Sequence, residues 1–67
     1  MAQGVVRRFR VRRDAYGWQV GGGERRLARG TLLEGRVVRR NPRARRVVID
    51  TGDSMLTLNE EDLEPFT

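Results

Sequence analysis

Arginine is the residue type in this sequence whose spacing could do chemistry. Arg7, Arg8, Arg10, Arg12 and Arg13 fall in one short stretch, and Arg36, Arg39, Arg40, Arg43, Arg45 and Arg46 flank an Asn41-Pro42 pair. All fourteen basic residues are arginine, and lysine is absent. A guanidinium is planar, permanently charged and matched to the geometry of a phosphate fork. In an extended strand alternate side chains leave one face about every 6.8 Å, so a run such as Arg8, Arg10 and Arg12 can follow a phosphate backbone. Arginines at a hairpin tip can also enter a groove. Tyr16 and Trp18 stand beside the first arginine run in the sequence and are the aromatic candidates for stacking on a base. The candidate nucleic-acid contacts, for RNA or DNA, are therefore Arg8, Arg10, Arg12, Arg36, Arg39, Arg40, Arg43, Arg45, Arg46 and Tyr16. The competing reading is a solvated strand face whose arginine stems cover the core. Only two phenylalanines and one tyrosine accompany Trp18, which favours an interior place for it.

The charges are unevenly distributed. Residues 1–46 hold every arginine and three acids, a net of +11, whereas residues 47–67 hold six acids and no arginine, a net of −6. This asymmetry permits a basic face and an acidic edge. It also supports a second reading, in which the two segments attract one another between copies or engage a protein partner.

Other motifs point to other chemistries. Asp50-Thr51-Gly52 follows the apolar run Val47-Val48-Ile49, as in the catalytic turn of retropepsin-like aspartic proteases. That chemistry needs two such aspartates sharing a proton, hence a dimer. The chain is shorter than a retropepsin subunit and lacks the second apolar strand ending in glycine that supports the catalytic loop, so a hairpin turn is the better reading. Gly21-Gly22-Gly23 has the composition of a phosphate cradle, but Glu24-Arg25-Arg26 follows it, with neither a lysine nor a clear helix; a hairpin tip is expected. Glu60, Glu61, Asp62 and Glu64 could hold a divalent cation, though such clusters more often form a solvated turn.

Cysteine and histidine are both absent. Disulfides are excluded, zinc and haem lose their usual ligands, and nucleophile–histidine pairs cannot form. A non-catalytic chain without a cofactor is expected. No run of about 18 apolar residues exists to span a membrane, and the N-terminal stretch has no apolar core for a signal peptide, so the cytoplasm is the expected location.

The elements that must position these residues read as short strands. Sixty-seven residues suit one domain with a marginal core. Val5 to Arg13 alternates imperfectly, with Val5, Phe9 and Val11 on one side and Arg8, Arg10 and Arg12 on the other. Residues 14–17 read as a turn and 17–20 as a short strand. Arg25 to Arg29 is compatible with a strand or a helical turn. Thr31 to Arg40 is a strand with Leu33, Gly35 and Val37 on one face, and Gly35 marks a bulge or bend. Asn41-Pro42-Arg43-Ala44 is a turn. Arg45 to Asp50 and Ser54 to Asn59 are strands joined by a hairpin turn, and residues 60–63 suit a single 3₁₀ turn. Four or five short strands separated by glycine and proline turns predict an all-β small barrel.

Leu27-Ala28-Arg29-Gly30-Thr31-Leu32-Leu33-Glu34-Gly35-Arg36-Val37-Val38 resembles the opening of KOW and Sm-like barrels, where a leucine and spaced glycines lead into a curved strand. Val47 to Asp53, Met55 to Leu58 and the 3₁₀-like Asp62-Leu63-Glu64-Pro65 resemble the end of an SH3-like barrel. The resemblance covers residues 27–66 and implies a five-stranded SH3-like barrel with a short 3₁₀ turn near the C-terminus, in families that often bind RNA, DNA or ribosomal protein. The arginine-rich first strand lies outside it.

Overall fold

The structure is a computed structural model that describes residues 5–66. Residues 1–4, part of the stretch read against a signal peptide, and Thr67 of the closing segment lie outside the described residues. The described chain is all-β: β1 (Arg7–Val11), β2 (Ala15–Gln19), β3 (Glu24–Leu27), β4 (Leu32–Asn41), β5 (Arg46–Asp50), β6 (Met55–Asn59), a 3₁₀ turn over Glu60–Asp62, and β7 (Leu63–Pro65). It contains no helix long and apolar enough to cross a membrane.

Seven strands form one antiparallel sheet in the order β3-β2-β6-β5-β4-β1-β7. The all-β expectation holds, with seven strands where five were expected. Two short strands, β3 and β7, join the five longer ones, and among the described residues each has a single neighbour, so the sheet is open. Both were hard to read for a physical reason. Three of the four β3 residues are charged, and β7 has three residues and ends at Pro65. Such short, charged or proline-blocked strands suit a sheet edge.

The core is aliphatic. Val11, Ala15, Leu27, Leu33, Val47, Ile49, Leu56 and Leu58 are buried, with Phe9, Val37 and Leu63 packed against them. Alternation turns Leu33 inward on β4, Val47 and Ile49 on β5, and Leu56 and Leu58 on β6. β4 bends around this core. Its first half pairs with β1 through Arg7↔Gly35 and its second half with β5 from Arg36↔Asp50 onward. Gly35 sits at the switch, where a Cβ would lie 2.4 Å from the Asp50 carbonyl oxygen and 2.8 Å from Ile49 Cγ2. A bulge follows between Val37 and Arg39. The glycine thus permits the close approach of β5, and the bulge adds local twist.

Trp18 is not core. It is 40% exposed, on the outer face of β2. The reason is its neighbour Gly17, which faces inward and whose Cβ, if present, would lie 2.9 Å from Leu58 Cδ2 and 3.6 Å from Leu27 Cδ1. The space under β2 admits only Ala15 and Gly17. Strand alternation then sends Tyr16 and Trp18 outward. Trp18→Ala is therefore expected to lower stability by no more than about 1 kcal/mol, whereas Leu58→Ala, at a buried core site, should cost about 2–5 kcal/mol. Urea unfolding of the two variants checks the contrast.

Candidate nucleic-acid interface

The outer face of the five strands β3, β2, β6, β5 and β4 is built row by row from their register. One row runs Glu24, Trp18, Thr57, Val48, Arg39, each residue paired with the next across neighbouring strands. Beside it Tyr16 pairs with Arg26, and Arg46 pairs with both Asn59 and Asn41. On the other side Asp50 pairs with Met55 and with Arg36. Tyr16, Trp18 and Met55 are 51%, 40% and 41% exposed. The face thus carries two aromatic rings and a methionine at its centre, with arginines around them.

Arg46 reaches from β5 across β6, and its guanidinium carbon lies 5.5 Å from the centroid of the Trp18 ring. That is cation–π distance, worth about 0.5–1 kcal/mol at an exposed site.

The β4–β5 hairpin projects beyond this face. Its four-residue loop is closed by Ala44 N–H donating to Asn41 Oδ1 (3.2 Å) and Arg45 N–H donating to the Pro42 carbonyl (3.3 Å). Arg45 adopts φ +54°, and among the described residues it is the only non-glycine with positive φ. A left-handed arginine costs about 1 kcal/mol or more relative to an ordinary backbone. Two interactions anchor it. Glu60 N–H donates to the Arg45 carbonyl (2.8 Å), and Arg40 Nη2 pairs with Glu60 Oε2 (2.9 Å). Arg43 and Arg45 are consequently presented on a tethered tip.

The first strand behaves differently. Arg8 pairs with Glu34 (3.1 Å), Arg10 with Glu64, Arg12 with Glu64 (3.9 Å), and Arg13 with Asp62 (3.4 Å) and Glu61 (4.0 Å). The acidic C-terminal segment therefore meets the basic N-terminal strand within one chain, and its carboxylates face guanidinium groups. Among the described residues no three carboxylates converge as a metal site. The arginines of these ion pairs are solvent-exposed, with Glu60 and Glu64 half-buried and Asp62 mostly buried, and each pair adds little to stability. Their larger consequence is for the field. Nine arginines and four carboxylates have no ion-pair partner among the described residues, and they carry the whole net charge of +5. Eight of the nine, all but Arg7, lie on β3, β4 and β5 or the turns joining them.

The residues proposed from sequence thus divide. Arg36, Arg39, Arg46 and Tyr16 share the outer face, with Arg43 and Arg45 at the hairpin tip beyond it. Arg40 is tied to Glu60. Arg8, Arg10 and Arg12 belong to β1, whose sheet neighbours are β4 and β7, while those of β2 are β3 and β6. Adjacency of Tyr16 and Trp18 to the first arginine strand holds along the chain and not in the sheet order. Arg26 was not among the expected contacts. Its signal is the pairing of β3 with β2, and the charge-rich sequence of β3 hid that strand.

Asp50 ends β5 at the start of the hairpin turn. Its Oδ1 accepts from Gly52 N–H (2.9 Å), Thr51 N–H and Oγ1 both donate to the Ser54 carbonyl (3.0 and 3.1 Å), and Gly52 has φ +93°. This accounts for Asp-Thr-Gly as hairpin chemistry. Asp50→Asn keeps an acceptor and should leave the melting temperature nearly unchanged, whereas Asp50→Ala should cost about 1 kcal/mol in thermal unfolding. Gly21, Gly22 and Gly23 all have positive φ and close the β2–β3 hairpin, with Gln19 N–H donating to the Gly23 carbonyl (3.0 Å). Comparison of the chain with protein-family models, curated proteins and solved structures gives no match.

Proposed function

We propose that this chain is a non-catalytic nucleic-acid-binding module that uses arginines on a phosphate backbone, of RNA or DNA, without a cofactor. The observation that carries the reading is the location of the unpaired charge. Six of the nine arginines without carboxylate partners lie on the face that exposes Tyr16 and Trp18 or at the hairpin tip beside it: Arg26, Arg36, Arg39, Arg46, Arg43 and Arg45. Phosphate contacts position a nucleic acid, and exposed aromatic rings beside them offer surface to bases. We further read the fold as a variant of the SH3-like small barrel. Support comes from the long β4 shared between two halves of the sheet and from the 3₁₀ turn immediately before the last strand. A protein-interaction or self-assembly role through opposite charges is the weaker reading, because Glu60, Glu61, Asp62 and Glu64 already face arginines of their own chain. The cytoplasm suits the proposed role.

Binding to random-sequence RNA and DNA at rising salt, with the mass in solution measured alongside, tests this function. Log affinity should fall linearly with log salt as counterions are released. A folded protein that binds neither nucleic acid at low salt, and whose solution mass exceeds the 7.7 kDa chain, would favour assembly instead.

A further inference from the structure

We propose that the nucleic acid bound at this face is single-stranded, with Trp18 and Tyr16 each stacking one base and Arg26, Arg39 and Arg46 neutralising the phosphates around them. This rests on the nucleic-acid reading above and narrows it. In a duplex the faces of the bases are stacked on one another and only their edges reach the grooves, so rings lying on a sheet surface find no base face to cover. A splayed strand offers those faces directly. Spacing agrees. Tyr16 and Trp18 are two residues apart on one face of β2, about 6.8 Å along the strand, against 3.4 Å between stacked bases of a duplex strand. One base on each ring requires neighbours that have left the duplex stack.

The surroundings of the rings are graded in the same sense. Across the sheet from Trp18, the half-buried side chains of Thr57 and Val48 form a low floor that ends at Arg39. Three strand spacings, about 14 Å, separate Trp18 from Arg39, a span of a few nucleotides. On the opposite side Arg26 stands beside Tyr16. The guanidinium of Arg46 over Trp18 occupies the ring face that a base would take. An arriving base and that guanidinium compete for one surface. The flexible stem of Arg46 lets its charge move to the phosphate attached to the base, so the cation that protects the ring in the free protein becomes a backbone contact in the complex. A second copy of this chain is a poorer occupant. On this face Arg26, Arg36, Arg39 and Arg46 outnumber Glu24 and Asp50, so two copies face to face would bring like charges together.

Trp18 is the only tryptophan, so intrinsic fluorescence reports on this ring alone. The wild-type protein is titrated at low salt with an unstructured twelve-nucleotide DNA, its RNA counterpart and the matching DNA duplex. Quenching of Trp18 by at least one of the single strands, with affinity at least tenfold above the duplex, is the expected result. Trp18→Ala and Tyr16→Ala should each weaken single-strand binding about tenfold or more while melting temperatures fall by no more than about 8 °C, and Trp18→Phe should retain most of the affinity. Duplex binding as tight as single-strand binding, or unchanged affinity in Trp18→Ala, would overturn the stacking proposal and leave the phosphate-binding function standing. Absence of binding to all three probes by the folded protein would overturn both.

Discussion

Gly35→Ala is expected to destabilise the domain by about 3 kcal/mol, at the upper end of what overpacking costs. The added Cβ would lie 2.4 Å from the carbonyl oxygen of Asp50 and 2.8 Å from Ile49 Cγ2. The first of these is backbone and cannot swing aside, so β4 and β5 must separate where β4 passes from one pairing partner to the other. A domain of this size has a total stability of about 3–10 kcal/mol, so the loss is a large fraction of it. The melting temperature should fall by about 12–24 °C, since each kcal/mol shifts a domain of this length by about 4–8 °C. Gly17→Ala is the internal control. Its clash is with Leu58 Cδ2 at 2.9 Å, the far end of a flexible side chain, and the cost should stay nearer 1 kcal/mol. Equal melting temperatures for Gly35→Ala and wild type would show that β5 does not approach β4 as closely as described.

Replacing Arg39, Arg43, Arg45 and Arg46 together by glutamine should lower the salt dependence of single-strand binding by about 3 in the slope of log affinity against log salt, at about 0.7 for each phosphate that is no longer neutralised. All sequences should weaken alike, because phosphate contacts carry no base information. The fold should persist. All four side chains are exposed, and replacing the left-handed arginine at position 45 removes nothing from the core. The companion variant replaces Arg8, Arg10 and Arg12 by glutamine. Those arginines face Glu34 and Glu64, so the slope should change by less than about 1, and any effect should appear mainly in stability. The comparison separates a located binding surface from a general effect of net charge. If the two variants reduced the slope equally, long-range attraction alone would account for binding.

The parts of the fold legible in the sequence are those where alternation and volume agree. Val47 and Ile49 face inward on β5, Leu56 and Leu58 on β6, and the turns at Asn41-Pro42 and Thr51-Gly52 fall where those residue types demand. Gly35 was legible as a bend, though the register shift itself lies after Val37. On β2 alternation and volume disagree. Hydrophobicity argues for burying Trp18, while the small residues Ala15 and Gly17 occupy the inward positions, and space under the strand decides the outcome. The signal was present in the Ala-Tyr-Gly-Trp pattern, as small residues at one parity and large rings at the other. The division of the arginines had no local signal. Arg10 and Glu64 are 54 residues apart in the chain and meet only because β1 pairs with β7. A run of arginines in sequence is therefore not yet a basic face; the pairing of strands determines which charges are neutralised at home and which remain for a ligand.

The most direct test of the outer face as the binding surface is a chemical-shift titration of isotope-labelled protein with a short unstructured single strand at low salt. Shifts concentrated at the Trp18 indole, Tyr16, Thr57, Val48 and the side chains of Arg39 and Arg46, with β1 little affected, are the predicted result. Shifts confined to Arg8, Arg10 and Arg12 on β1, or none anywhere in a folded protein, would contradict it.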